Sequence, residues 1–271
     1  MNPFDVFLIT PFLNILIATY KLLAALSIPG ALGFSIIILS AAIRLILWPL
    51  TTSQLKSAQK MAALKPHLDR IKAEHGHDKV RHQQEVSKLY KEHGVNPAAG
   101  CLPVLLQIPV FISLYNVLQK IVVLDKVEAL SAINNKLYFP SLHLNQLPST
   151  SFLGVHLATK PSQWHEVGFL ILLIPIVTGL LQFAQSKMMT PQKSNALKAN
   201  TDNKGGLEDS MAQMQSQMVL LMPLMIAFFS YGFPVGLSLY WNTFTVIAIV
   251  QQYKVAGAGS LNKYLPAKWK K

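Results

Sequence analysis

The chain has 271 residues, of which 51% are hydrophobic and only 13% charged, and its mean hydropathy is +0.35. Soluble domains carry roughly a quarter charged residues, so a soluble globular enzyme is a poor fit. The formal net charge of +12 would suit a nucleic-acid binder, but such a protein would not contain several apolar runs of membrane length. Apolar spans joined by basic connections instead predict an all-α polytopic membrane protein.

In chain order, residues 1–29 come first. They are apolar but interrupted by Pro11, Asn14 and Lys21, and they run into Pro29-Gly30. Asn14 and Lys21 are seven apart, two helical turns on one face, which predicts an outer-face amphipathic helix lying on the membrane rather than a further span. The start "MNPFD" has no basic residue and no small-x-small site follows at the right distance, so no cleavable signal peptide is expected.

Five segments are then long and apolar enough to cross a bilayer at about 20 residues each. The first lies within 30–53 and ends at Trp48-Pro49; the second is 101–121, with Pro103 and Pro109; the third is 167–187, with Pro175. The fourth, 217–233, and the fifth, 234–253, are joined by "YGFPVG", whose Pro and Gly residues suit a tight turn. The three prolines predict an imperfect, open bundle, against the alternative of ordinary kinks.

Between the spans, 54–100 predicts a cytoplasmic hairpin of two helices, about 53–75 and 78–92, broken at "HGHD". Ile71, Val86, Leu89 and Tyr90 are too few for a large core, so the hairpin is expected to be polar. Residues 122–166 read as an irregular extracytoplasmic loop, 188–216 as a cytoplasmic linker, and 254–271 as a basic tail. Basic residues number eighteen in 54–100, 187–216 and the tail, against five on the other side. This positive-inside bias places the amino terminus outside and the carboxyl terminus in the cytoplasm of a multi-pass inner (plasma) membrane protein.

Little chemistry is on offer. The single Cys101 excludes an intramolecular disulfide, and "AAGC" lies too far along the chain to be a lipoprotein start. His67, His75, His77, His82 and His93 lack a shared ligand face, so no metal is expected. No nucleophile–base pair, phosphate loop or HExxH motif occurs, so neither catalysis nor a cofactor is expected. Met211, Met214, Met218, Met222 and Met225 form one helical stripe, an adaptable apolar surface or plain packing filler.

The informative residues are polar ones inside the spans. Arg44 sits in "SIIILSAAIRLILWPL", where an arginine costs roughly 2.5–3.5 kcal/mol on insertion scales. No Asp or Glu lies in any span to neutralise it. It is about 10 Å from the helix end at Thr51, so snorkelling to the headgroups is one reading. Gln107, Gln182 and Gln185 lie at similar depth, and Tyr240, Trp241 and Asn242 add further polar groups. Polar residues from several spans favour the other reading, a wet cavity in which a visiting molecule meets Arg44.

The segments "GFSIIILSAAIRLILWPLTTSQLKSAQKMAALKP", "YKEHGVNPAAGCLPVLLQIPVFISLYNVL", "FAQSKMMTP" and "MPLMIAFFSYGFPVGLSLYWNTFTVIAIVQQ" resemble, in order, the YidC/Oxa/Alb membrane protein insertases. The resemblance runs over about 10–255 and is to the short form, without a large outer domain. It implies a five-helix transmembrane core with a hydrophilic groove open to cytoplasm and lipid. It further implies that Arg44 is the groove arginine, with Gln107, Gln182 or Gln185 and Tyr240-Trp241-Asn242 as its polar company.

The implied function is insertion and folding of nascent membrane proteins, alone or with the Sec translocon, without nucleotide hydrolysis. Implied partners are nascent chains with short or acidic translocated tails, membrane lipids, and the ribosome through hairpin 54–93 and the tail. From the residues alone, a small anion channel or transporter using Arg44 and a purely structural translocon subunit are the rivals. No internal repeat supports a transporter.

Overall fold

The computed structural model describes residues 3–95, 102–122, 126–189 and 207–263. Cys101, most of the 188–216 linker and the end of the tail lie outside the described residues, as do the side chains of Met211, Met214 and Met218. The chain divides into two compact units. One comprises Met1–Leu47, Val104–Leu181 and Met225–Ile247, the other Trp48–Pro103, Gln182–Leu224 and Ala248–Lys271.

In the first unit a π-helical turn, Asp5–Ile9, leads into α1 (Thr10–Ala25), and α2 spans Ala31–Ile46. Leu13, Leu16 and Ile17 of α1 pack in one core with Leu32, Ile36, Leu39 and Ile43 of α2, all at helical spacing. Val110, Leu114, Val117 and Ile121 extend this core along α6 (Leu102–Val122).

Large apolar side chains also face outward. Ile176 and Leu180 on α9 (Leu173–Met189) are exposed, as is Phe228 on α10 (Leu207–Gly232). Asp5–Ala25 and Phe169–Met189 are long and apolar enough to cross a membrane, and α2 with the helix that follows it would make a third such segment. Contiguous apolar exposure on this scale suits lipid, not water.

Helix α10 starts at Leu207, inside the polar stretch before Met218, because nothing between Gly206 and Pro223 breaks a helix and Glu208 and Asp209 suit its amino-terminal end. Helix α11 (Val235–Ala256) follows a turn at Phe233-Pro234. The third apolar segment is less regular than expected. A short helix, α8 (Trp164–Val167), ends at Gly168 with φ 96°, and a 3-10 turn, Phe169–Leu172, precedes α9. Pro103 and Pro175 fall in the first turns of α6 and α9, where a missing N–H costs nothing. Of the three prolines expected to loosen spans, only Pro109 is interior.

Buried hydroxyls tie α9, α10 and α11 together. Ser230 Oγ lies 2.8 Å from Ser238 Oγ and donates to Thr178 Oγ1 at 3.4 Å, and Thr178 donates to the Ile174 carbonyl at 2.8 Å. Small hydroxyl residues allow helices to approach closely in lipid.

The polar stripe of α1 faces protein. Asn14 donates to the Thr10 and Lys136 carbonyls at 2.8 and 2.9 Å and accepts from the Tyr138 N–H at 2.7 Å. Lys21 donates to the carbonyls of Ser141 and His143, and Lys136 pairs with Asp5 at 2.9 Å. Asn14 and Lys21 therefore share a face, as their spacing requires, and the segment following α7 (Lys126–Asn134) covers it.

A small antiparallel hairpin, β1 (Ser151–Phe152) and β2 (Val155–His156), lies against α2. The Phe152 ring sits on Gly30 and Gly33, where a Cβ on Gly33 would overlap it, and meets Phe34 edge-on at 5.2 Å. Beyond the hairpin, the Leu157 and Thr159 carbonyls accept from Gly236 and Val235 N–H groups, capping the start of α11.

In the second unit, α3 (Trp48–Ala63), α4 (Lys65–His75) and α5 (Lys79–Glu92) form the expected hairpin, with one difference. Its first arm is divided at Leu64, because Pro66 opens α4 and Leu64 is buried with Leu89 and Val95. Met61, Leu68, Ile71 and Tyr90 complete this small core. Asp78 caps α5 by accepting from the Val80 and Arg81 N–H groups. At the root of the hairpin, the fully buried Gln251 donates to the Trp48 carbonyl and to the Thr51 and Thr52 hydroxyls at 2.8–2.9 Å.

Candidate functional site: a buried arginine in an apolar helix

Arg44 is the last charged residue that α2 carries before it stops at Ile46. The helix breaks at Leu47, and Trp48-Pro49, expected to close the first span, instead opens α3. Proline in the first turn of a new helix explains the break. Arg44 is only 8% exposed. Its guanidinium carbon stands 4.6 Å from the centre of the Phe244 ring, a cation–π contact with α11.

Beside it, Gln107 of α6 donates a hydrogen bond to the hydroxyl of the fully buried Tyr240. The Arg44 Nε is buried with no hydrogen-bond partner, and among the described residues no carboxylate pairs with the guanidinium. Asn242 Oδ1 is likewise buried without a partner. Buried polar atoms are nearly always satisfied, so these atoms call for water or a visiting group.

The structure thus brings Arg44, Gln107 and Tyr240 into one unit, with Phe244 as a member that the sequence reading missed. Phe244 follows Tyr240 by four residues on the same face of α11, and that spacing was the available signal. Trp241 instead meets Phe111 edge-on at 5.6 Å, and Phe111 packs on Phe233 at 5.9 Å, an aromatic cluster anchoring α11 to α6. Gln182 and Gln185 are partly buried on α9 and belong to the other unit. No group of His, Cys, Asp and Glu that could hold a metal occurs among the described residues.

Comparison with known proteins gives this arrangement a setting. Residues 24–260 match the family described as 60Kd inner membrane protein. The membrane protein insertase YidC of Fusobacterium nucleatum is 33% identical over 231 residues, covering 85% of this chain and 89% of that protein. The chain belongs to the YidC/Oxa/Alb family.

Two further relatives are much longer. YidC of Rickettsia conorii is 33% identical over 83% of this chain, which spans only 35% of that protein's length. The chloroplast inner membrane ALBINO3-like protein 1 of Chlamydomonas reinhardtii is 33% identical over 92% of this chain and 49% of its own. Among solved structures, a crystal structure of an active YidC insertase with its first transmembrane domain resolved superposes with a TM-score of 0.52. The identity is 23%, over 93% of this chain and 47% of that one, and the likeness establishes the fold. This is a helical membrane protein.

Proposed function

We propose that this chain is an insertase: it carries nascent membrane proteins into the bilayer and assists their folding. The observation that carries the reading is Arg44, a cation kept in an apolar helix with no acidic partner among the described residues, its Nε unsatisfied beside Tyr240, Gln107 and Phe244. A charge held at such a cost is more useful to a transient ligand than to the resting fold.

In this reading α2, α6, α9, α10 and α11 are the five spans of the core, and α1 lies along the outer face. Arg44, Gln107, Tyr240, Trp241 and Asn242 belong to a hydrophilic groove. The amino terminus is outside and the carboxyl terminus in the cytoplasm, a reading supported by the eighteen-to-five distribution of basic residues. A nascent segment first meets the polar hairpin α3–α5, with its nine Lys and Arg residues between 54 and 100; the ribosome and the Sec translocon are the partners that would deliver it.

The acidic tail of the substrate then enters the groove. Attraction to Arg44 at low local dielectric offsets part of the desolvation of the tail's carboxylates. The following apolar segment moves into lipid, where burial at about 25 cal/mol per Å² of apolar surface drives the step forward without nucleotide. Proteoliposomes containing only this protein are the direct test, with a single-span substrate bearing a short acidic tail. They should yield protease-protected substrate well above the level of empty liposomes; equal protection in both would end the proposal. Chloride flux through the same vesicles should stay at background, whereas an anion channel would make them leak.

A further inference from the structure

The segment between α7 and α8 has two properties that rarely occur together in a solvated loop. It exposes large apolar side chains, Tyr138 at 55%, Phe139 at 62% and Leu153 at 84%. At the same time several of its backbone groups are taken by protein. The Tyr138 N–H is taken by Asn14, the Leu144 N–H and carbonyl by the Asn134 amide, and the Ser141 and His143 carbonyls by Lys21. The Leu142, His143 and Leu157 N–H groups go to carbonyls of Phe139, Pro140 and Thr150. Such pairing lowers the cost of seating these residues against a bilayer.

Leu153 is the sharpest case. It forms the tip of the β1–β2 hairpin with φ 49°, in the left-handed region where Gly, Asn or Asp would sit without strain. Leucine there gains nothing from the fold, since its side chain is almost wholly exposed. Its neighbour Phe152 is pressed against Phe34, which is itself partly exposed on the apolar surface of α2. The tip is therefore continuous with the exposed apolar surface of α2. A tyrosine such as Tyr138 favours the membrane–water boundary.

We propose that this segment is a lipid-seated cap: Leu153, at the amino-terminal end of α2, and Tyr138 and Phe139, beside Asn14 of α1, insert into the bilayer. The occupant of this apolar surface is lipid, and the seam with α1 through Asn14 and Lys21 holds the cap at that depth. Membrane contact of the cap does not depend on insertase activity or on which side of the membrane it lies.

The test is site-directed spin labelling of the full chain in phosphatidylethanolamine–phosphatidylglycerol liposomes, with Cys101→Ser as background. Leu153→Cys and Phe139→Cys carry the label in turn, and Gln146→Cys, at an exposed polar position of the same segment, serves as reference. Labels at 153 and 139 should collide with oxygen, and the ratio of oxygen to nickel-chelate accessibility should be several-fold higher than at 146. Equal nickel accessibility at all three sites would show a solvated loop. Exclusion of both reagents at 153 would show a protein contact. Either result overturns the proposal.

Discussion

Replacing Arg44 by leucine will separate stability from function, raising the first and removing much of the second. In detergent, Arg44→Leu should unfold at a higher temperature than the parent chain. The substitution removes a buried cation whose Nε has no partner, and such replacements are commonly neutral or stabilising by about 1–4 kcal/mol. The lost contact with the Phe244 ring offsets only about 0.5–2 kcal/mol of that.

Insertion of an acidic-tailed substrate should fall about tenfold, roughly 1.4 kcal/mol in free energy, while a neutral-tailed one changes little. Thermal unfolding and protease protection of the two substrates check this together. A large loss of stability, or equal loss for both substrates, would make Arg44 a structural residue.

The second large effect belongs to Gly33. A Cβ there would overlap the Phe152 ring, and Gly30, one turn earlier with φ 73°, lies under the same ring. Gly33→Ala should therefore displace the β1–β2 hairpin from α2 and cost about 1–3 kcal/mol, the usual range for overpacking. Gly33→Leu should prevent stable folding at growth temperature. Because the clash is with a single side chain, Phe152→Ala should restore much of the stability of Gly33→Ala, even though it is destabilising on its own. Midpoints of thermal unfolding for both single variants and the double variant form the required cycle. Additive losses would place the Gly33 constraint elsewhere.

The apolar segments were legible because transfer energy is summed over a window, and each of the five falls largely within a helix or helices of the structure. The hairpin was legible from "HGHD" and from the shortage of apolar residues, and its core is correspondingly small. Breaks within apolar runs were not legible. The interruption at Leu47 and the 3-10 turn after Gly168 depend on backbone geometry, which hydropathy does not register.

For the site, Arg44 stood out because it is charged among apolar neighbours. Phe244 did not, since an aromatic in a span looks like packing until its ring is seen under a guanidinium. Gln251 was overlooked for the opposite reason. It is polar but near a helix end, where a glutamine needs no explanation until it proves fully buried and bonded to the root of the hairpin. Asn14 and Lys21 were placed on one face correctly, but which surface they meet depends on residues more than a hundred positions away.

The central claim is that a translocating chain meets the Arg44 site. The most direct measurement places a photo-crosslinking benzoylphenylalanine at Phe244, which keeps the arginine and an aromatic ring beside it, and irradiates membranes holding a stalled nascent membrane protein. The account predicts a crosslink from position 244 to the acidic tail or first apolar residues of that nascent chain, lost when Arg44 is also replaced by leucine. A nascent chain that crosslinks at the exposed Phe228 but never at 244 would contradict it.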